Sequence, residues 1–480
     1  MNKHIITKSL AAAFIVLAAW GCKITEPTSR AERTGTPESY NGSQDTTNVT
    51  EVKWSEFFSD PNLRALIDTA LANNQELNMM LQEINVSNNE IKARKGEYLP
   101  FVNIQAGAGM DKVGRYTRYG ALEANNEIKP GEEFPEPYTD LMVGAYASWE
   151  LDVWKKLRNA KKVAVFNYLS TVEGKNFMVT QLVAEIANSY FELMALDNQL
   201  SILNQNIGIQ KDALEIVKLQ KQAAKVSELA VKRFEAEVAK NQSLIYNIHQ
   251  QITEAENRIN FLVGRFPQPV ARNSSSFEQM TPQLIKAGIP SQLLANRPDI
   301  RQAELELEAA KLDVKVAKAN FYPSFRITAG LGYNAFNAEF LFNSPQSMLY
   351  SLAGDLMAPL INRNAIKANY ASANSKQMQA VINYEQSILN GYIEVANQLS
   401  KINNLEKSYD LKSQQVSALT ESISISNSLF RSARADYMEV LLTQRDALES
   451  RMELIETKMD QMRAMVNVYQ ALGGGWTRPE

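Results

Sequence analysis

Hydrophobic positions along this chain follow two periods. In the second half, Val381, Ile388, Val395, Ile402, Tyr409, Val416, Ile423 and Phe430 recur at heptad spacing, and in the first half Val172, Val179, Ile186, Leu193, Leu200, Ile207 and Leu214 do the same until Lys221 ends the run. An unbroken heptad seam predicts a coiled-coil helix. The two are expected over residues 155–222 and 363–432, each about 100 Å long at the α-helical rise. A second seam follows each: Val231, Val238, Ile245, Ile252 and Ile259, then Leu441, Leu448, Ile455, Met462 and Tyr469. These predict return helices over 226–263 and 436–472. The short connections between outgoing and return helices make each pair an antiparallel hairpin.

A period of two takes over ahead of each hairpin. Helices expected from about Asn62 to Glu97 and from Pro298 to Asn320 stop at Pro100 and Pro323, since proline cannot continue a helix. Alternation begins there. Val102, Ile104, Ala106, Ala108 and Met110 share one face against Asn103, Gln105, Gly107 and Gly109; Phe325, Ile327, Ala329, Leu331 and Tyr333 oppose Ser324, Arg326, Thr328, Gly330 and Gly332. Second strands follow at Leu141–Leu151 and Met348–Leu356. Such segments, apolar on one side and polar or tiny on the other, suit a transmembrane β-barrel with a wet lumen. Four strands cannot close a useful pore, so the barrel needs several chains. The loops between paired strands, Lys129-Pro130-Gly131-Glu132-Glu133 and Asn343-Ser344-Pro345, suit an exposed rim.

The sequence therefore divides into an export signal (1–21), a tether and equatorial segment (22–55), a first repeat (56–265), an equatorial linker (266–290), a second repeat (291–472) and a tail (473–480). At the N-terminus, Lys3, His4 and Lys8 precede an apolar run from Leu10 to Trp20, too short for a permanent membrane helix. It ends at Cys22, the single cysteine of 480 residues. Small residues before it resemble a bacterial lipobox, so Cys22 is the expected lipidation site. Residues 23–48 are polar and read as a tether.

Composition mainly excludes. The 50 basic and 53 acidic residues leave a net charge of −3, without the basic excess that phosphate binding requires. The two histidines, His4 and His249, assemble no triad or metal set, and Gly473-Gly474-Gly475 reads as a helix stop. No catalysis, metal, cofactor or nucleic-acid partner is expected. A non-conducting coiled-coil lipoprotein would also show heptads, but has no need of four alternating strands; a periplasmic enzyme is disfavoured for want of a catalytic set.

The chain resembles the TolC-like outer-membrane efflux channels, in particular their OprM-like lipoprotein branch. The resemblance rests on Ile289-Pro290-Ser291-Gln292-Leu293-Leu294, Arg297-Pro298-Asp299-Ile300-Arg301, Phe321-Tyr322-Pro323-Ser324 and Tyr469-Gln470-Ala471-Leu472-Gly473-Gly474-Gly475-Trp476. It implies a mainly α protein with a small transmembrane β part. Three chains would form a twelve-stranded barrel continued by a twelve-helix coiled-coil α-barrel. The implied partners are outer-membrane lipid, a periplasmic adaptor and an inner-membrane pump, with an RND transporter the first expectation and ABC or MFS types left open. Adaptor docking falls to the hairpin tips, Ala224, Lys225, Val226, Ala433, Arg434 and Ala435. Ala224 and Ala433 stand where the family commonly has glycine. Either the turn accepts alanine or the adaptor meets another surface. Asp436 and Glu439 are the tunnel-gate candidates: Glu439 matches one of two acidic positions and Leu442 stands at the other. Equally, acids at a helix start can serve the helix dipole alone.

Overall fold

The computed structural model describes residues 30–40, 52–281, 287–432 and 434–476. Cys22 and Ala433 lie outside these. Helices α1 (Pro61–Asn73) and α2 (Gln75–Tyr98) lead to β1 (Phe101–Asp111) and β2 (Tyr138–Leu151), then α3 (Lys156–Gln222) and α4 (Glu228–Leu262). The order repeats as α5 (Pro298–Ala319), β3 (Ser324–Ala335), β4 (Met348–Met357), α6 (Asn364–Arg431) and α7 (Tyr437–Ala471). The long helices have 67 and 68 residues and both return helices have 35. Among the described residues, no helix is long and apolar enough to cross a membrane.

One difference from the expected elements lies near the start. The helix expected from Asn62 to Glu97 is two helices, broken at Asn74, whose ψ of 128° is not helical. Its buried amide explains the break. Nδ2 donates to the Leu262 carbonyl at 2.9 Å, while Oδ1 accepts from the Leu77 N–H at 2.8 Å. Asn74 thus caps α2 and ties it to the end of α4.

The chain forms two compact units. Of the described residues, those within 85–169 and 305–381 build the first and those within 32–84, 170–304 and 382–476 the second. The first holds a four-stranded antiparallel sheet in the order β1-β2-β3-β4. Where β2 ends, Asp152 starts α3. Its carboxylate accepts the N–H groups of Leu157 (3.0 Å) and Arg158 (2.9 Å), and the Arg158 guanidinium at 3.0 Å. Burial alone would raise the Asp152 pKa, but these donors outweigh it and hold the group below the ordinary carboxylate range.

This depression fixes a sign. A carboxyl depressed in the folded state stabilises above its unfolded pKa, and that contribution is lost as pH falls through the folded value. Asp152→Ala should therefore cost about 1 kcal/mol, as for a helix cap. The difference from wild type, measured by thermal unfolding, should persist at neutral pH and shrink below the ordinary value of 3.8. A difference that grows on acidification would refute the cap.

The second unit carries the main core. Leu63, Ile67, Ile186, Leu193, Met194, Leu203 and Ile259 are fully buried, each large side chain contributing about 1.5–3 kcal/mol. Phe57 stacks on Tyr469 at 4.2 Å, and the Tyr190 hydroxyl donates to Asp60, the cap of α1, at 2.9 Å. The segment after α4 is fastened by Arg272, which donates to Asp197 (2.6 Å) and Glu256 (2.5 Å), and by Phe277, which enters the core.

Candidate functional site

In the first unit, strand register carries one apolar face unbroken across four strands. Ile104 pairs with Ala145, Ala145 with Leu331 and Leu331 with Tyr350; Ala147 sits between Val102 and Ala329. A one-residue slip would put these side chains on the opposite face. The reverse face carries Asn103, Gln105, Ser148 and Thr328, and near its end Arg326 lies in register between Glu150 and Asp355. Arg326 Nη2 stands 4.0 Å from Glu150 Oε2.

Two glycines bring β2 and β3 together on that face. Gly144 pairs with Gly332, and a Cβ on Gly332 would lie 2.5 Å from the Val143 carbonyl oxygen. The Tyr146 ring covers neighbouring Gly330, within 3.0 Å of where its Cβ would be. At the end of the sheet, Trp149 Nε1 donates to the Tyr98 carbonyl (3.1 Å) and Trp154 Nε1 to that of Pro323 (2.7 Å). Trp154 also stacks on Tyr322 at 4.8 Å. Amphipathic rings at the sheet's end match the aromatic girdle of membrane barrels.

In the second unit, the first hairpin turn has a definite form. The Lys225 N–H donates to the Gln220 carbonyl (2.8 Å) and the Ala224 N–H to that of Lys221 (2.9 Å). This is a Schellman motif, which needs a left-handed residue at its corner. Ala224 supplies it with φ of 54°. Alanine thus occupies the left-handed corner of this turn at the cost of strain. At the second turn, Arg434 N–H donates to the Leu429 carbonyl at 2.8 Å, the same six-residue closure. Ala224→Gly should raise stability by about 1 kcal/mol, since glycine carries no left-handed penalty. A lower melting temperature for that variant would contradict the assigned turn.

The tips pack together within this unit. Val217, Val231 and Phe234 are buried with Val226, Phe430, Tyr437 and Leu441 against them, and Arg233 Nη1 lies 3.1 Å from Met438 Sδ. Lys225 and Arg434 are exposed, while Ala435 is half-buried. Asp436 occupies the cap position of α7 but makes no side-chain cap bond. Glu439, in the first turn, is exposed, as is Leu442 one turn on, whereas Val440 between them is buried.

Arg297 and the glycine-rich segment after α7, read in the sequence as part of a family motif and as a helix stop, lie far apart along the chain. In the fold they meet. Arg297 is 4 % exposed; Nη1 donates to Glu394 (2.7 Å) and to the Ala471 carbonyl (2.8 Å), while Nε and Nη2 grip Asp299 at 3.0 and 2.6 Å. The guanidinium thereby caps the end of α7. Gly473, with φ of 92°, approaches the Asn296 carbonyl too closely for a Cβ, which would lie 2.5 Å away, and Trp476 Nε1 donates to that same carbonyl at 3.3 Å. No signal in the linear sequence joins residues so far apart.

An apolar-faced sheet with two free edges, together with paired coiled-coil hairpins, defines a channel protomer of the outer-membrane type. Residues 66–265 and 289–474 match the family described as outer membrane efflux protein, and the chain belongs to that family. It is 26% identical to the cation efflux system protein CusC of Escherichia coli O6:H1 over 470 residues, covering 96% of this chain and 97% of the relative. Identity to SilC of Salmonella typhimurium, described as a probable outer membrane lipoprotein, is 24%, covering 88% of both chains. The open-state crystal structure of the MtrE outer membrane channel of Neisseria gonorrhoeae has the same fold, with TM-score 0.81, 22% identity, and coverage of 95% of this chain and 98% of that one. The protein is thus an outer-membrane efflux component, and the family's role is transport.

Proposed function

We propose that the chain is the lipid-anchored protomer of a homotrimeric exit duct, with Cys22 carrying the lipid. Three sheets join edge to edge into a twelve-stranded barrel, and the hairpins of three copies form a twelve-helix tunnel. The observation that carries this reading is the sheet itself. Among the described residues its outer strands β1 and β4 each pair on one side only, and unpaired backbone cannot face lipid. Substrates enter from a periplasmic adaptor docked on the tips around Ala224–Val226 and Ala433–Ala435, supplied by an inner-membrane pump, an RND transporter in the first instance. Conduction is passive, and an adaptor opens the mouth by binding a splayed arrangement more tightly. The efflux relatives, the free edges and the left-handed tip turn support this reading.

The mature protein in mild detergent should scatter light as a trimer and conduct in planar bilayers. A stable monomer would overturn the barrel, and a non-conducting trimer would leave a structural lipoprotein. For the gate, we propose that Glu439 recurs three times around the mouth beside Asp436, where confined like charges attract cations. Glu439→Lys should then reverse the cation preference measured as reversal potential in a salt gradient, with the trimer intact. An unchanged reversal potential would leave both acids as residues of the helix N-terminus.

A further inference from the structure

Within the second unit, α3, α6 and α7 enclose a cleft of about 460 Å³. That volume lies within the range of small-molecule sites, which pair apolar walls with a few fixed polar groups. Ile202, Val416 and Leu454 supply apolar wall, Asn198, Ser201 and Gln205 neutral polar groups, and Arg451 and Lys458 charge. Lys458 is the unusual member. It is only 6 % exposed, and among the described residues no carboxylate lies within ion-pair reach of it. Its contact is the Tyr409 ring, with Nζ 5.0 Å from the centroid. Burial pushes its pKa down with no charged neighbour opposing it. Arg451 spends one nitrogen on Thr420 Oγ1 at 3.2 Å and forms no ion pair among the described residues. The acid at this cleft, Glu278, sits on the exposed rim.

A cation largely withdrawn from water without an anion is costly, and a cation–π contact offsets only part of that cost. An anion that brings its own apolar surface would satisfy both halves of the cleft; a bare inorganic ion would leave the apolar wall wet. We propose that the cleft binds a small organic acid, with its carboxylate between Lys458 and Arg451 and its apolar body against Ile202, Val416 and Leu454. Because α3 belongs to the first repeat and α6 and α7 to the second, the occupant bridges the two hairpins. The site does not depend on conduction or on the gate.

The test is calorimetric titration of the detergent-purified full-length protein with benzoate. Saturable binding at one site per chain is expected, weakened at least about tenfold by Lys458→Met and severalfold by Arg451→Gln. Acetate, which lacks the apolar body, and benzyl alcohol, which lacks the charge, should each bind more weakly than benzoate. Val416→Phe fills the cleft without touching a charge and should also block binding, so the proposal stays testable if Lys458→Met does not fold. Absence of saturable binding to wild type, or affinity unchanged from wild type in either Lys458→Met or Val416→Phe, would overturn it. Loss of the wild-type oligomer in Lys458→Met would equally overturn it, by placing the missing carboxylate on a second copy of the chain.

Discussion

Arg297→Met should be among the most damaging single substitutions in the second unit, lowering stability by about 3 kcal/mol, the range for breaking one side of a buried ion pair. The guanidinium serves three acceptors at once: Asp299, Glu394 and the carbonyl of Ala471. Methionine replaces the volume but donates to none of them. Asp299 and Glu394 keep 22% and 53% side-chain exposure, so both can rehydrate, which places the effect at the lower end of that range. The buried carbonyl of Ala471 has no such escape, and the end of α7 should fray. Arg297→Lys should rescue little, because one ammonium cannot reproduce the planar fork that grips Asp299 while reaching α7. The measurement is thermal unfolding, with protease sensitivity near residue 471 as the local readout. A melting temperature for Arg297→Met indistinguishable from wild type would show that the clamp adds nothing.

Gly332→Ala should abolish barrel formation, although it adds one methyl group to a β-strand. The added Cβ would stand 2.5 Å from the Val143 carbonyl oxygen and 2.7 Å from Gly144 Cα. Both are backbone atoms, so no rotamer change relieves the contact and β2 must move away from β3. That pairing joins the strands of the first repeat to those of the second. Overpacking at a site unable to yield costs about 3 kcal/mol or more. Gly107→Ala is the matched control: it lies in the same sheet, and a Cβ there meets nothing within 4 Å. Gly107→Ala should give wild-type levels of heat-modifiable oligomer in outer-membrane fractions, and Gly332→Ala almost none. Equal levels would mean that β2 and β3 are free to separate.

The mutations differ in how far the sequence could anticipate them. Heptads read from Val172 to Leu214 and from Val381 to Phe430 marked helices that the fold places at Lys156–Gln222 and Asn364–Arg431. The alternation after Pro100 and Pro323 marked β1 and β3. Both patterns are legible because a helix or strand repeats its environment at fixed intervals, so one buried face prints itself on consecutive residues. The break at Asn74 escaped because the apolar period continues across it, and its cause is a carbonyl far away in sequence.

The chain by itself determined the two repeats, the hairpins, the apolar face of the sheet and, through its motifs, the family. Only the tertiary structure decided what particular residues do. It made Arg297 a clamp on α7, set Gly332 against a carbonyl of β2, put Ala224 in a left-handed turn and laid Lys458 over the Tyr409 ring. Those roles depend on distance and direction between segments remote in sequence. Periodicity records which side of an element is buried, but carries no information about which atom lies opposite.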